Sequence, residues 1–210
     1  MINILIADDH LLFREGLKQI LAKHKDLRVA DEAGSGNEAI QKILRGGFDL
    51  VILDISMPGR SGLDILAEIR KEKPDLPVLI VSMHPEDQYA VRVLKAGASG
   101  YLTKESAASE LISAIHKVSS GGRYISPSVA EKLADALGRE HPESPHHALS
   151  NREFQVMRML AAGKTLKEIA EDLILSEKTI TTYRARILEK MELRNNVELS
   201  HYAIKHHLLD

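Results

Sequence analysis

The chain has 210 residues, 44% of them apolar and 28% charged, with a formal net charge of −2. That is the make-up of a water-soluble globular protein with one large or two small domains, and the near-neutral balance does not by itself mark a nucleic-acid binder. No cysteine is present, which excludes disulfides, thiol catalysis and cysteine-ligated zinc.

Residues 2–7 read as a short apolar strand ending at Asp8-Asp9. This opening has no basic leader and acids interrupt its apolar run at once, so neither a signal peptide nor a membrane span is expected, and a cytoplasmic protein is. His10 to Lys23 has helical spacing, with Leu11, Leu12, Leu17, Ile20 and Leu21 on one side. Residues 27–33 predict a second strand and Asn37 to Leu44 a second helix, stopped by Gly46-Gly47. Leu50-Val51-Ile52-Leu53 is an apolar run closed by Asp54 and, beyond Met57, by Pro58-Gly59, the pattern of a strand buried on both faces. A helix over roughly 62–72 follows, then a strand at 77–83 and a helix from Glu86 to Ala96. A fifth strand covers 99–103, and a helix runs from about 107 to 119. Strands alternating with helices imply a doubly wound, five-stranded parallel α/β sheet with right-handed crossovers, ordered 2-1-3-4-5.

Residues 123–147 break this rhythm. A helix is plausible from Ser128 to Leu137, and residues 139–147 read as a flexible linker broken by Pro142 and Pro145. The nearby His141, His146 and His147 are expected to be solvated loop residues rather than metal ligands. The pattern from Leu149 is all helical. Ser150-Asn151-Arg152-Glu153 has capping-box spacing, and Phe154, Val156, Met157 and Leu160 precede Gly163. Helices are expected at Leu166 to Leu173, at Glu177 to Met191 and from about Asn196 to His207.

Polar side chains stand at four predicted strand ends: Asp8-Asp9, Asp54, Ser82 and Lys104. In an open parallel sheet these ends converge at one edge, where ligands bind. Three carboxylates packed together repel one another, and a hard divalent cation such as magnesium relieves this. A nearby ammonium and hydroxyl suit a phosphoryl group. The cluster therefore fits a metal and an anion held around a carboxylate nucleophile. Aspartates at strand ends commonly cap helices, but capping does not account for matched chemistry at four separate ends.

With Met57-Pro58-Gly59 after the central acid, this spacing resembles the receiver domain of two-component response regulators, over residues 1 to about 122. The resemblance implies that Asp54 accepts phosphate from a sensor histidine kinase. It implies magnesium bound by Asp8, Asp9, Asp54 and the backbone carbonyl of Ser56. It also makes Lys104 the phosphate's partner, Ser82 the switch hydroxyl and Tyr101 the aromatic switch, although Tyr101 also reads as an ordinary strand aromatic. Ser82 stands where many receivers have Thr, and Glu105 where many have Pro.

Leu166–Leu173, the turn Ile174-Leu175-Ser176 and the helix opening at Glu177 have helix-turn-helix form, in which the second helix enters a major groove. Ile180, Ile187 and Met191 should face the domain core. Lys178, Thr181, Thr182, Arg184, Ala185 and Arg186 are left for the outer and flanking surfaces, and Lys190 joins them as a candidate DNA contact. Residues 148–210 hold ten Lys/Arg against nine Asp/Glu, so charge alone leaves open a helical protein-binding domain.

Leu149-Ser150, Arg152-Glu153, Glu168-Ile169-Ala170, Leu175-Ser176, Thr179-Ile180 and Lys190-Met191 resemble the skeleton of the LuxR/FixJ-type helix-turn-helix. Together with the receiver they identify the architecture of the NarL/FixJ class, and the tail from Val197 to Ile204 is similar to its GacA/UvrY-like branch. The family usually has a basic residue where Thr181 stands, so base readout here is expected to use threonine methyls and hydroxyls. The expected protein is a phosphorylation-controlled transcription regulator and not an enzyme, with domains at 1–122 and 148–210. It should bind double-stranded DNA as a homodimer, the last helix with Leu199, Tyr202 and Ala203 serving as dimer contact or as internal packing. The alternatives are a receiver whose C-terminal helices bind protein, and an aspartyl phosphatase. The phosphatase is disfavoured because Ser56 stands where such enzymes place a second acid.

Overall fold

The computed structural model describes residues 1–57, 62–127, 129–131, 144–206, 208 and 209, except the side chains of residues 87, 88, 147 and 151. It divides into two compact units, Met1–Gly138 and Arg139–Asp210.

In the first unit the strands β1 (Ile2–Ala7), β2 (Leu27–Ala33), β3 (Leu50–Leu53), β4 (Val78–Ser82) and β5 (Gly100–Thr103) alternate with helices. These are α1 (Leu11–Leu21), α2 (Gly36–Arg45), α3 (Gly62–Glu72), α4 (Glu86–Lys95) and α5 (Ala107–Ser119). All strand pairs are parallel and the sheet order is β2-β1-β3-β4-β5, as the alternation implied. Ile4, Ile6, Leu50, Ile52, Leu79, Val81 and Leu102 form one buried cluster with Leu17 and Leu21 of α1 and Leu111, Ile115 and Val118 of α5. The alternate positions Leu5, Val51, Leu53 and Ile80 are buried as well, because helices cover both faces and the strands read as continuous apolar runs.

Register aligns the carboxyl ends of the strands. Ala7 pairs with Leu53, Leu53 with Ile80, and Ser82 with Thr103. The backbone N–H of Asp54 donates to Ala7 and that of Lys104 to Ser82, each at 2.8 Å. The first residues beyond β1, β3 and β5, together with Ser82 at the end of β4, therefore share one edge. Gly62 opens α3 directly beneath it. A Cβ there would run into the Asp54 carbonyl and come within 2.8 Å of the Ile55 Cα, so no larger residue lets α3 pack this close.

The stretch 123–147, read as linker with a short helix, is partly ordered. Tyr124 forms a parallel bridge with Gly100, its N–H donating to Ser99 at 2.9 Å, on the open edge of β5. Gly100 makes this approach feasible, since a Cβ would lie 2.9 Å from atoms of Tyr124. Residues 129–131 are helical; the rest of the expected helix to Leu137, the linker to residue 143, and Pro58-Gly59 lie outside the described residues. Pro145–Ala148 forms a 3-10 turn.

The second unit contains α6 (Asn151–Ala161), α7 (Leu166–Leu173), α8 (Glu177–Lys190) and α9 (Asn196–Lys205). Ser150 and Glu153 make the anticipated capping box, and Thr165 and Glu168 make a second. Ser176 caps α8 by accepting from the Thr179 N–H at 3.1 Å. The tight turn before it uses Ile174 in the left-handed conformation (φ 53°), a cost offset by closing α7 with the Leu175 N–H bonded to Ala170 at 2.8 Å. Ile180, Ile187 and Met191 are buried with Phe154, Met157 and Leu173, as helical spacing predicts.

Candidate functional site

Asp8, Asp54 and Ser82 are nearly inaccessible, at 2%, 1% and 0% exposure. Apolar strands bring them inward, and the chain turns sharply just beyond each. The Lys104 ammonium reaches across the edge from β5, lying 2.6 Å from Asp8 Oδ2 and 2.8 Å from Asp54 Oδ2. Burial works against this ammonium, but hydrogen bonds to Asp54 and Asp8 outweigh it and hold its pKa above the usual lysine value. Phe13 packs beneath, with its ring centre 4.6 Å from the same nitrogen. Asp54 Oδ1 accepts from the Ser56 N–H at 3.0 Å. Its Oδ2, apart from the ion pair with Lys104, accepts no aligned hydrogen bond.

His10 adds a group that sequence reasoning missed. Its Nδ1 lies 2.8 Å from Asp9 Oδ1 and 3.2 Å from Asp8 Oδ1, and its backbone N–H donates to Asp8 Oδ1 at 2.8 Å. Ligand atoms of Asp8, Asp9, His10 and Asp54 all lie within 4.8 Å of one another. Carboxylate oxygens gathered in this way, with Asp54 Oδ2 accepting no aligned hydrogen bond, fit a hard divalent cation.

A second chain of contacts runs from this edge into β5. The His84 N–H donates to Ser82 Oγ at 3.2 Å, and the His84 Nε2 lies 2.9 Å from Ser56 Oγ. The Tyr101 hydroxyl donates to the His84 carbonyl at 2.7 Å, and the His84 ring stacks on Tyr89 at 4.5 Å. Tyr101 is 1% exposed, and burial pushes its phenol far above the ordinary tyrosine range. His84 thus joins Ser82 to Tyr101, a role no feature of the sequence announces.

On the second unit, Lys178, Thr181, Thr182, Ala185 and Arg186 are exposed on α8. Lys178, Thr182 and Arg186, with Ser176, Thr179 and Tyr183, line a shallow depression of about 300 Å³. Two other candidate contacts have partners within the unit. Arg184 Nε donates to Asn196 Oδ1 at 2.7 Å, tying α8 to the start of α9. Lys190 pairs with Glu153 Oε2 at 2.7 Å. Burial works to raise Glu153, but Lys190 and the Ser150 N–H more than offset this and keep its carboxyl below the usual range.

Of the anticipated dimer residues, Leu199 and Ala203 are fully buried inside the unit. The Tyr202 hydroxyl lies 2.8 Å from His146 Nδ1, so this linker histidine is docked rather than solvated. The exposed apolar side chains of α9 are Val197 and Ile204.

Residues 4–116 match the response regulator receiver domain family, and residues 147–203 match the luxR family of bacterial regulatory proteins. The chain is 40% identical over 209 residues to Response regulator UvrY of Escherichia coli, covering 99% of this chain and 96% of that one. It is 37% identical over 211 residues to Response regulator GacA of Pseudomonas aeruginosa, covering 100% and 99%. A structure of RcsB from Salmonella enterica serovar Typhimurium, bound to promoter rprA with phosphomimetic BeF3−, superposes with a TM-score of 0.67 at 25% identity. That match spans 96% of this chain and 98% of the other. Among the described residues no helix is long and apolar enough to cross a membrane.

Proposed function

We infer the working of this site from a plain premise: the chain belongs to the two-component response regulators that join a receiver domain to a LuxR-type DNA-binding domain. It is a phosphorylation-controlled transcription regulator. In our reading residues 1–122 are the receiver, 148–210 the DNA-binding unit and 123–147 the connection, in a cytoplasmic protein.

Asp54 is the phosphoacceptor. One of its carboxylate oxygens bonds to phosphorus as the P–N bond of a sensor kinase's phosphohistidine breaks; the bonding pair stays on the imidazole nitrogen, and the ring leaves as neutral imidazole, its other nitrogen already protonated. Asp8, Asp9, Asp54 and the Ser56 carbonyl would hold a magnesium ion, which would supply positive charge for the phosphoryl oxygens. Lys104, shared between Asp8 and Asp54 beforehand, turns to one of those oxygens. The Ser82 hydroxyl donates to another. The new group adds roughly −1.5 to −2 charges. Movement of Ser82 loosens its bond from His84, and with it the acceptor that holds Tyr101. The convergence of Asp8, Asp54, Ser82 and Lys104 on one buried edge carries this reading.

Helix α8 is the groove-entering helix, used by a homodimer on paired half-sites. Lys178 and Arg186, both exposed on α8, serve phosphate groups. The test uses a small phosphodonor with magnesium. The full-length protein should gain one phosphoryl group, seen as a single mass increment, and bind DNA more tightly. Asp54→Asn should gain none, and continued single-site labelling of that variant would overturn the assignment.

A further inference from the structure

Thr181 and Thr182 are exposed on α8, yet both hydroxyl protons are already committed. Thr181 Oγ1 donates to the Glu177 carbonyl at 2.9 Å, and Thr182 Oγ1 to the Lys178 carbonyl at 3.0 Å. A threonine hydroxyl has one proton and two acceptor lone pairs. Each side chain therefore has a methyl group and acceptor capacity left to present, but no donor. Residues four apart on a helix are neighbours. Thr181 accordingly stands beside Ala185, another exposed methyl, while Thr182 lies between the cations Lys178 and Arg186.

Resting on the reading of α8 as the groove helix, we propose that Thr181 and Thr182 set its base preference by selecting A·T pairs. In the major groove an A·T pair and a G·C pair each show two acceptors and one amine donor, and what sets A·T apart is the thymine C5 methyl. A surface of methyls packs against the thymine methyl, and its acceptors can take the adenine N6 amine. Against G·C the same acceptors can take the cytosine N4 amine, but the methyl contact is lost and no free hydroxyl donor is available for the adjacent guanine acceptors N7 and O6. Ala185 extends the methyl surface by one helical turn, and Lys178 and Arg186 flank it with phosphate contacts. Freeing either hydroxyl to donate would sacrifice its bond within the helix, so the preference is built into the resting side-chain geometry.

The test selects binding sites from a randomised duplex library with the phosphorylated full-length chain. Enriched duplexes are then remade with deoxyuridine replacing each thymidine in turn, which removes the C5 methyl and leaves base pairing intact. The expected result is A·T enrichment within each half-site and about fourfold weaker binding at one or two uridine positions, the effect of one buried methyl. The Thr181→Val/Thr182→Val pair, which keeps the methyls, should retain this sensitivity. The Thr181→Ser/Thr182→Ser pair, which keeps only the hydroxyls, should lose most of the difference between thymine and uracil duplexes. Equal binding of every uridine duplex by the parent protein overturns the inference, as does undiminished uridine sensitivity in the serine pair. Enrichment of no sequence at all overturns the groove-helix reading and the inference with it, a result distinct from the other two.

Discussion

The Tyr101 hydroxyl is bonded to the backbone carbonyl of His84 at 2.7 Å, which fastens the middle of β5 to the loop after Ser82. Tyr101→Phe removes this hydrogen bond, costing about 0.5–1.5 kcal/mol. Urea unfolding of the first unit should show that loss, while labelling of Asp54 by a phosphodonor persists. The phosphorylation-dependent gain in DNA affinity should shrink. A variant as stable as the parent with an unchanged gain would remove Tyr101 from the relay.

Gly62 packs its α-carbon against the backbone of Asp54 and Ile55. In Gly62→Ala the added methyl must push α3 away from the phosphoacceptor strand, and overpacking of this kind costs about 1–3 kcal/mol. We expect a lower melting temperature and slower phosphorylation, because the displaced backbone carries the reactive carboxylate. Unaltered rates in a destabilised variant would show that α3 can yield without moving Asp54.

Arg184 and Arg186 lie two residues apart but should behave differently. Each phosphate contact contributes about 0.9 to the slope of log affinity against log salt concentration. Arg186→Ala should reduce that slope by about this amount and weaken binding to all sequences. Arg184→Ala loses its bond to Asn196 and should chiefly loosen α8 from α9, seen as faster amide exchange there with a nearly unchanged slope. Equal slopes for the two variants would contradict this division.

Glu153 gives the second unit an acid-sensitive fastening. Its folded-state pKa is lowered, so its contribution is fully present above the unfolded carboxylate value of about 4.3 and fades as pH falls through the folded value. Amide exchange in α6 should therefore accelerate more steeply below pH 4 in the parent chain than in Glu153→Gln. Lys190→Ala should reproduce part of that flattening at a modest cost in stability, since the ammonium is partly exposed. A parent and Glu153→Gln that respond identically to acid would place the sensitivity elsewhere.

The residues at the sheet edge are legible in the sequence for one physical reason. The buried runs Ile4–Ala7, Leu50–Leu53 and Val78–Val81 are wholly apolar, so Asp8, Asp54 and Ser82 announce themselves at their ends, as Lys104 does just beyond the short β5. The loops do not. His10 and His84 enter the site because chain segments far apart in sequence meet at the edge, and a single histidine after a strand carries no sign of that. Long cations on α8 are ambiguous for another reason. Helical periodicity separates inward from outward positions, but a lysine or arginine on the outer surface can still reach sideways, as Lys190 does to Glu153 and Arg184 to Asn196. Leu199 and Ala203 fit an interface or a core equally well by pattern, and packing alone assigns them to the core.

The bridge between Tyr124 and Gly100 bears on how the chain can be shortened. β5 is one of the two edge strands of its sheet, and an uncovered strand edge is a template for pairing with another molecule. A receiver fragment ending at residue 122 would strip this cover, exposing the Ser99 carbonyl now bonded to Tyr124. Such a fragment should self-associate along β5, whereas one that extends past Tyr124 carries its own edge protection.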